Sequence, residues 1–90
     1  MKPSVVLTKA KKLIEKGWCR GVIAKNVNGK NYYSADGAIE KAGPPEKAEI
    51  YFRQAIERHS IVLWNDHQTS KRPVLRAFDR AIKLAKSEGK

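Results

Sequence analysis

Apolar residues recur along this chain at two spacings, and the spacing changes where the elements change. From Ser4 to Lys16, Val6, Leu7, Ala10, Leu13 and Ile14 fall at helical intervals and form one stripe. Pro3 suits the start of such a helix, where its missing N–H is harmless, and Gly17 suits the residue just past its end. Trp18 then falls where the chain folds back onto the last apolar turn. Lys9, Lys12 and Lys16 share the opposite face. The next stretch, "GVIAKNVNGKNYY", holds Asn28-Gly29, a two-residue signal for a turn that needs positive φ at both positions. Val22, Ala24 and Val27 lead in and Tyr32 and Tyr33 lead out, which predicts a hairpin over residues 22–33. A lone hairpin is marginal in water, so one face must pack on helices.

"SADGAIEKAG" reads as a short helix capped by Ser34 and stopped by Gly43. Pro44-Pro45 breaks the chain and starts a third helix through Arg58, with Ala48, Ile50, Tyr51, Phe52, Ala55 and Ile56 on its apolar face. His59-Ser60 interrupts it, and Ser60 caps one further turn from Ile61 to Trp64. A loop from Asn65 to Ser70 follows. The last helix spans Lys71 to Lys86, with Pro73 in its first turn, where it is tolerated. Val74, Leu75, Phe78, Ala81, Ile82 and Ala85 make its stripe. The expected fold is mostly α (α+β): a compact four-helix single domain, residues 1–90, with one short β-hairpin and Trp18 and Trp64 in or beside the core.

Length adds a limit. A chain of 90 residues buries roughly 60–65% of its unfolded surface, so most apolar side chains are needed for packing. Charge adds more. Lys and Arg number 19 against 9 Asp and Glu, for a net charge of +10. The excess is uneven: +7 over residues 1–30, −1 over 31–60 and +4 over 61–90. Such a density raises association rates with polyanions and leaves the fold undetermined. It makes nucleic acid or an acidic protein surface the expected partner. No stretch approaches the ~20 apolar residues of a membrane span, and the lysine-interrupted N-terminus lacks a signal's apolar middle. The single cysteine, Cys19, cannot form an internal disulfide, which fits a reducing cytoplasm.

Candidate chemistry narrows the field further. Trp64-Asn65-Asp66-His67 reads first as a joint, with Trp64 filling the gap between the third and fourth helices. Asn65 and Asp66 would then bond backbone N–H groups of the turn, as such residues do. The alternative is a ligand-binding corner with an indole platform. Cys19 with His59 or His67 lacks the cationic, helix-N-terminal setting that lowers a thiol pKa, so a buried structural cysteine is expected. No His/Cys/Asp set has zinc-site spacing, so neither a metal nor another cofactor is expected, and the glutamates scatter over helix surfaces. Phosphate-loop and dinucleotide fingerprints are absent.

The basic rows carry the positive reading. Arg72, Arg76, Arg80 and Lys83 recur at steps of four, four and three, a stripe along about 16 Å of helix axis that Lys71 extends at its start. With Lys9, Lys12 and Lys16 on a neighbouring helix, the two rows merge into one phosphate-neutralising surface. A sharper variant makes Thr69 to Arg80 the recognition helix of a helix-turn-helix, although the turn lacks glycine.

Three stretches, "GWCRGVIAKN", "ADGAIEKA" and "WND", together resemble a family of small bacterial and phage proteins described as a domain of unknown function. Its pattern is Gly-Trp-Cys-x-Gly, then Gly-Ala-Ile, then Trp-Asn-Asp before a final helix. Gly17, Trp18, Cys19, Gly21, Gly37, Ala38, Ile39, Trp64, Asn65 and Asp66 carry the match, which spans residues 7–86. Members often have a second cysteine where this chain has Ser34-Ala35-Asp36, and acidic residues where it has Lys71-Arg72-Pro73. The resemblance implies a fold and a phage or bacterial origin, with no activity attached. The expectation is therefore a small, basic, non-catalytic binding module of phage or bacterial-accessory type, contacting nucleic acid. The alternative is a protein-interaction module, a phage factor engaging a host protein through an exposed patch near Tyr32, Tyr33 and Tyr51. An enzyme would require a pocket gathering Trp64, Asp66 and a histidine.

Overall fold

The apolar stripes close on one another around Phe52 and Phe78, whose ring centroids lie 4.7 Å apart. A computed structural model describes residues 1–90. Its elements, in order, are α1 (Pro3–Lys16), β1 (Ala24–Val27), β2 (Lys30–Tyr33), α2 (Ala35–Ala42), α3 (Pro45–Ile56), α4 (Ile61–Asp66) and α5 (Arg72–Ser87). α1 packs between α2 and α5, and α3 completes the bundle against α2 and α5. At one end Lys71 Nζ donates to the Glu15 carbonyl, and at the other Ser4 Oγ donates to the Lys90 carbonyl, so α1 and α5 run antiparallel. Val6, Leu7, Ala10 and Ile14 of α1 and Val74, Ala77, Phe78, Ala81 and Ala85 of α5 are buried in one cluster with Phe52. No helix is long and apolar enough to cross a membrane.

The hairpin forms where Asn28-Gly29 predicts it. Asn28 has φ 52° and Gly29 φ 83°, and Val27 pairs with Lys30 across the turn. The strands are shorter than the predicted span, and β1 is exposed throughout. β2 is tied to the body instead: Tyr33 N–H donates to Gly17 O and Cys19 N–H to Tyr33 O, each at 3.0 Å. That pairing revises the role of Gly17. It does follow the last residue of α1 and sends its N–H to Leu13 O, but its φ is −173°, extended rather than left-handed. A Cβ there would stand 2.5 Å from the Asn31 carbonyl oxygen, so glycine is needed for close approach. Gly37 is likewise pressed against the Ile23 carbonyl.

There are five helices rather than four. Ser60 Oγ accepts from Leu63 N–H and starts a helix that continues to Asp66, so Asn65 and Asp66 are helical and not in the loop. The preceding helix stops at Ile56 because Glu57 turns left-handed, φ 55°, and sends its N–H to Arg53 O. α4 seats on α2 and α3 rather than on α5, and Thr69 and Ser70 precede the first turn of α5. The two helices therefore do not make the packed pair a helix-turn-helix needs.

Candidate functional site

α4 has two sides with different chemistry. On the inner side Asn65 is fully buried and uses its whole carboxamide. Oδ1 accepts from Trp18 Nε1 at 2.8 Å and from Ala35 N–H at 3.1 Å. Nδ2 donates to Cys19 O at 3.1 Å and to Asp66 Oδ1 at 3.4 Å. Asp66 Oδ1 in turn accepts from Gly21 N–H at 2.8 Å. Ala35 is the first residue of α2, whose N–H has no partner inside its own helix, so Asn65 supplies a cap that Ser34, bonded to Gly37 N–H, leaves open. The three stretches singled out in the sequence thus converge on one side chain. Apart from adjacent Asp66, the partners are not the local turn groups expected; they lie 30 to 47 residues away in the chain. No buried side-chain polar atom lacks a partner.

Cys19 belongs to the same joint. Its thiol is buried and donates to Val22 O at 3.7 Å. Burial pushes its pKa up, Lys25 opposes that and Asp66 adds to it, so the thiol is held protonated and is a poor nucleophile.

On the outer side of α4 lies a groove of about 560 Å³ lined by Arg58, His59, Ser60, Trp64, His67 and Gln68. Leu63, 62% exposed, forms its lip. The half-buried Trp64 ring meets Phe52 edge-on at 5.7 Å, which braces the indole from beneath. His67 Nδ1 lies 2.7 Å from Leu63 O, and Gln68 Nε2 donates to Trp64 O at 2.9 Å. The groove gathers Trp64 with histidines but not Asp66, which is turned to Gly21. The trio that catalysis required is therefore divided between the two sides.

The basic rows lie elsewhere. Lys9, Lys12, Lys16, Arg72, Arg76, Arg80 and Lys83 are all exposed, and none is in an ion pair. Lys71 is committed to the Glu15 carbonyl. Arg80 Nε donates to Ala55 O at 3.3 Å, which holds its guanidinium beside Lys83 in a groove of about 450 Å³ between α3 and α5. α1 and α5 are neighbours, yet their rows stay apart. Lys11 pairs with Asp79 at 2.8 Å on the seam, and at roughly 100° per residue Lys9 and Lys16 fall on the flank of α1 away from Lys11. The surface is two basic strips with a paired seam between them.

The family described as "Family of unknown function (DUF6197)" matches residues 1–84. The chain belongs to that family. No curated protein and no solved structure matches it. The DUF6197 match takes in the whole joint, the outer groove and all but the last turn of α5.

Two features within the DUF6197 span were missed by sequence reasoning. Asp36, Glu40 and Glu49 place carboxylate oxygens within 4.8 Å of one another. Asp36 and Glu40 stand four apart on α2, a spacing that marks a shared face, while Glu49 arrives from α3. Burial and then the hydrogen bond with Asp36 push the Glu49 pKa up to about 7, with Arg53, 3.6 Å away, opposing. Glu49 therefore keeps its proton to higher pH than a free carboxyl does. The apolar patch also moved: Tyr51 is buried with its hydroxyl on Glu88, and Tyr32 and Tyr33 are half-buried. The large exposed apolar residues are instead Val22, Ile23 and Val27 at the hairpin, Val62 and Leu63 on α4, Ile50 on α3, and Met1 and Val5 near the N-terminus.

Proposed function

We propose that this chain is a small, non-catalytic binding module that contacts nucleic acid through its Lys/Arg surface. The supporting observation is the row Arg72, Arg76, Arg80 and Lys83. All four are exposed, none is neutralised by a carboxylate, and Arg80 is already held by the Ala55 carbonyl. Such a strip meets successive phosphates with little further ordering, and each contact releases counterions. Lys9, Lys12 and Lys16 form a second strip for a strand that wraps the seam. A phage or bacterial-accessory role in the cytoplasm accords with this reading.

The test is a salt titration of binding to DNA and RNA. The logarithm of affinity is expected to fall linearly with the logarithm of salt, by roughly 0.9 per phosphate neutralised on duplex DNA. A paired Arg76→Glu/Lys83→Glu variant should flatten that slope and weaken every sequence alike. Binding that ignores salt, or none at low salt, would overturn the proposal. The exposed Val22, Ile23 and Val27 favour a second reading, a protein-interaction module of a phage factor engaging a host protein. It predicts a defined partner that stays bound after nuclease treatment.

A further inference from the structure

The groove outside α4 differs in kind from the basic strips. It is concave, has an aromatic wall, and Arg58, Ser60, His67 and Gln68 are each tethered through one side-chain atom. A carbonyl can only accept, so the His67 ring must carry its hydrogen on Nδ1, toward Leu63 O, and the neutral ring has Nε2 as an acceptor. Gln68 uses Nε2 on Trp64 O and keeps Oε1. Ser60 Oγ accepts from Leu63 N–H and keeps its hydroxyl hydrogen to donate. Arg58 gives one N–H to Glu57 O and keeps the rest of its fork. No carboxylate lines the groove. Asp36 and Glu49 line a separate hollow beyond Ser60, where Arg53 partly offsets them.

These features select a ligand class. A volume of about 560 Å³ lies within the ordinary range of small-ligand clefts, about 300–1,000 Å³. A flat ring answers Trp64, and an edge that mixes donors and acceptors answers His67, Gln68 and Ser60. A nearby negative charge answers Arg58. A lipid chain would leave the polar rim unused, and a simple carboxylate would leave the indole unused. Phosphates can also continue from here: Arg20 Nη1 donates to the Gln68 carbonyl at 2.8 Å, and Arg72, four residues on, opens the α5 strip.

We infer that the groove takes one unpaired nucleobase of a single-stranded nucleic acid. The base stacks on Trp64, His67 and Gln68 bond its edge, and Arg58 meets the adjoining phosphate. This rests on the reading that the chain binds nucleic acid, and it adds a preference for single strands that charged strips alone do not supply.

The experiment compares three probes at low salt: an oligodeoxyadenylate strand, a strand of equal length built of abasic sites, and a duplex. Each is titrated into wild type, Trp64→Leu, His67→Ala/Gln68→Ala and Arg76→Glu/Lys83→Glu, with indole fluorescence followed throughout. Wild type is expected to bind the base-bearing strand about tenfold more tightly than the abasic one, and only the former to quench fluorescence. Trp64→Leu and His67→Ala/Gln68→Ala should each erase most of that difference. The second variant alters one exposed and one half-buried side chain and keeps the test valid if the first fails to fold. Equal binding of both strands by wild type, or a duplex bound as well as the single strand, overturns the groove assignment. In either case weakening by Arg76→Glu/Lys83→Glu leaves the phosphate reading standing. No binding of any probe overturns both.

Discussion

Trp64 and Asn65 are neighbours in the chain and opposites in use. Asn65 faces inward with every polar atom bonded, to Trp18, Cys19, Ala35 and Asp66. Trp64, one residue earlier, faces outward, braced on Phe52 beneath a groove whose side chains are half committed. Asp66 follows Asn65 inward and His67 follows Trp64 outward. Full satisfaction is what a joint needs, because an unpaired buried group carries its whole desolvation cost. Partial satisfaction is what a binding surface needs, because it fixes geometry and leaves valences for a ligand. One short helix turns Asn65 and Asp66 to the satisfied side and Trp64 and His67, three apart, to the half-committed one.

The contrast implies unequal responses to substitution. The largest belongs to the joint. Asn65→Ala strands the Trp18 and Ala35 N–H groups and the Cys19 carbonyl, and is expected to cost about 4 kcal/mol, read from urea unfolding. A loss under about 1 kcal/mol would show that water replaces the carboxamide and that the joint is ordinary.

An intermediate response belongs to the carboxylates at the α4 entrance. The folded state raises Glu49 from 4.5 to about 7, so it binds that proton more tightly than the unfolded chain does. Stability should therefore be highest below about 4.5 and decline as pH rises towards 7, as far as this group governs it. Glu49→Gln should flatten the decline in a pH series of melting curves, and an unchanged profile would show that the raised Glu49 pKa does not govern stability. The smallest response belongs to the groove. His67→Ala/Gln68→Ala should shift unfolding free energy by no more than about 1 kcal/mol, since His67 is exposed and Gln68 is only half-buried with one hydrogen bond. A larger loss would make the outer side a second joint.

Local signals carried most of the fold into the sequence. Asn28-Gly29 announced its turn through positive φ, Ser34 and Ser60 announced their caps, and the stripes of α1 and α5 announced their buried faces. The failures share a cause. Asn65 was assigned to a turn because asparagine suits turns, whereas its partners stand up to 47 residues away, beyond any local rule. Gly17 ends α1 where expected, but the reason glycine is needed there, the Asn31 carbonyl beside it, lies in a later strand. The Asp36–Glu40–Glu49 cluster needed the α2–α3 pairing before its third member could be placed. The opening ambiguity of Trp64 to His67 resolved only when helix α4 sent those residues two ways.

The oxygen shared by Trp18 and Ala35 has a consequence for how this protein breathes. Both hydrogens rest on one acceptor carried by α4, so any excursion that lifts α4 releases them together. The strand-side segment after α1 and the first turn of α2 then loosen as one cooperative unit, instead of fraying separately from their own ends.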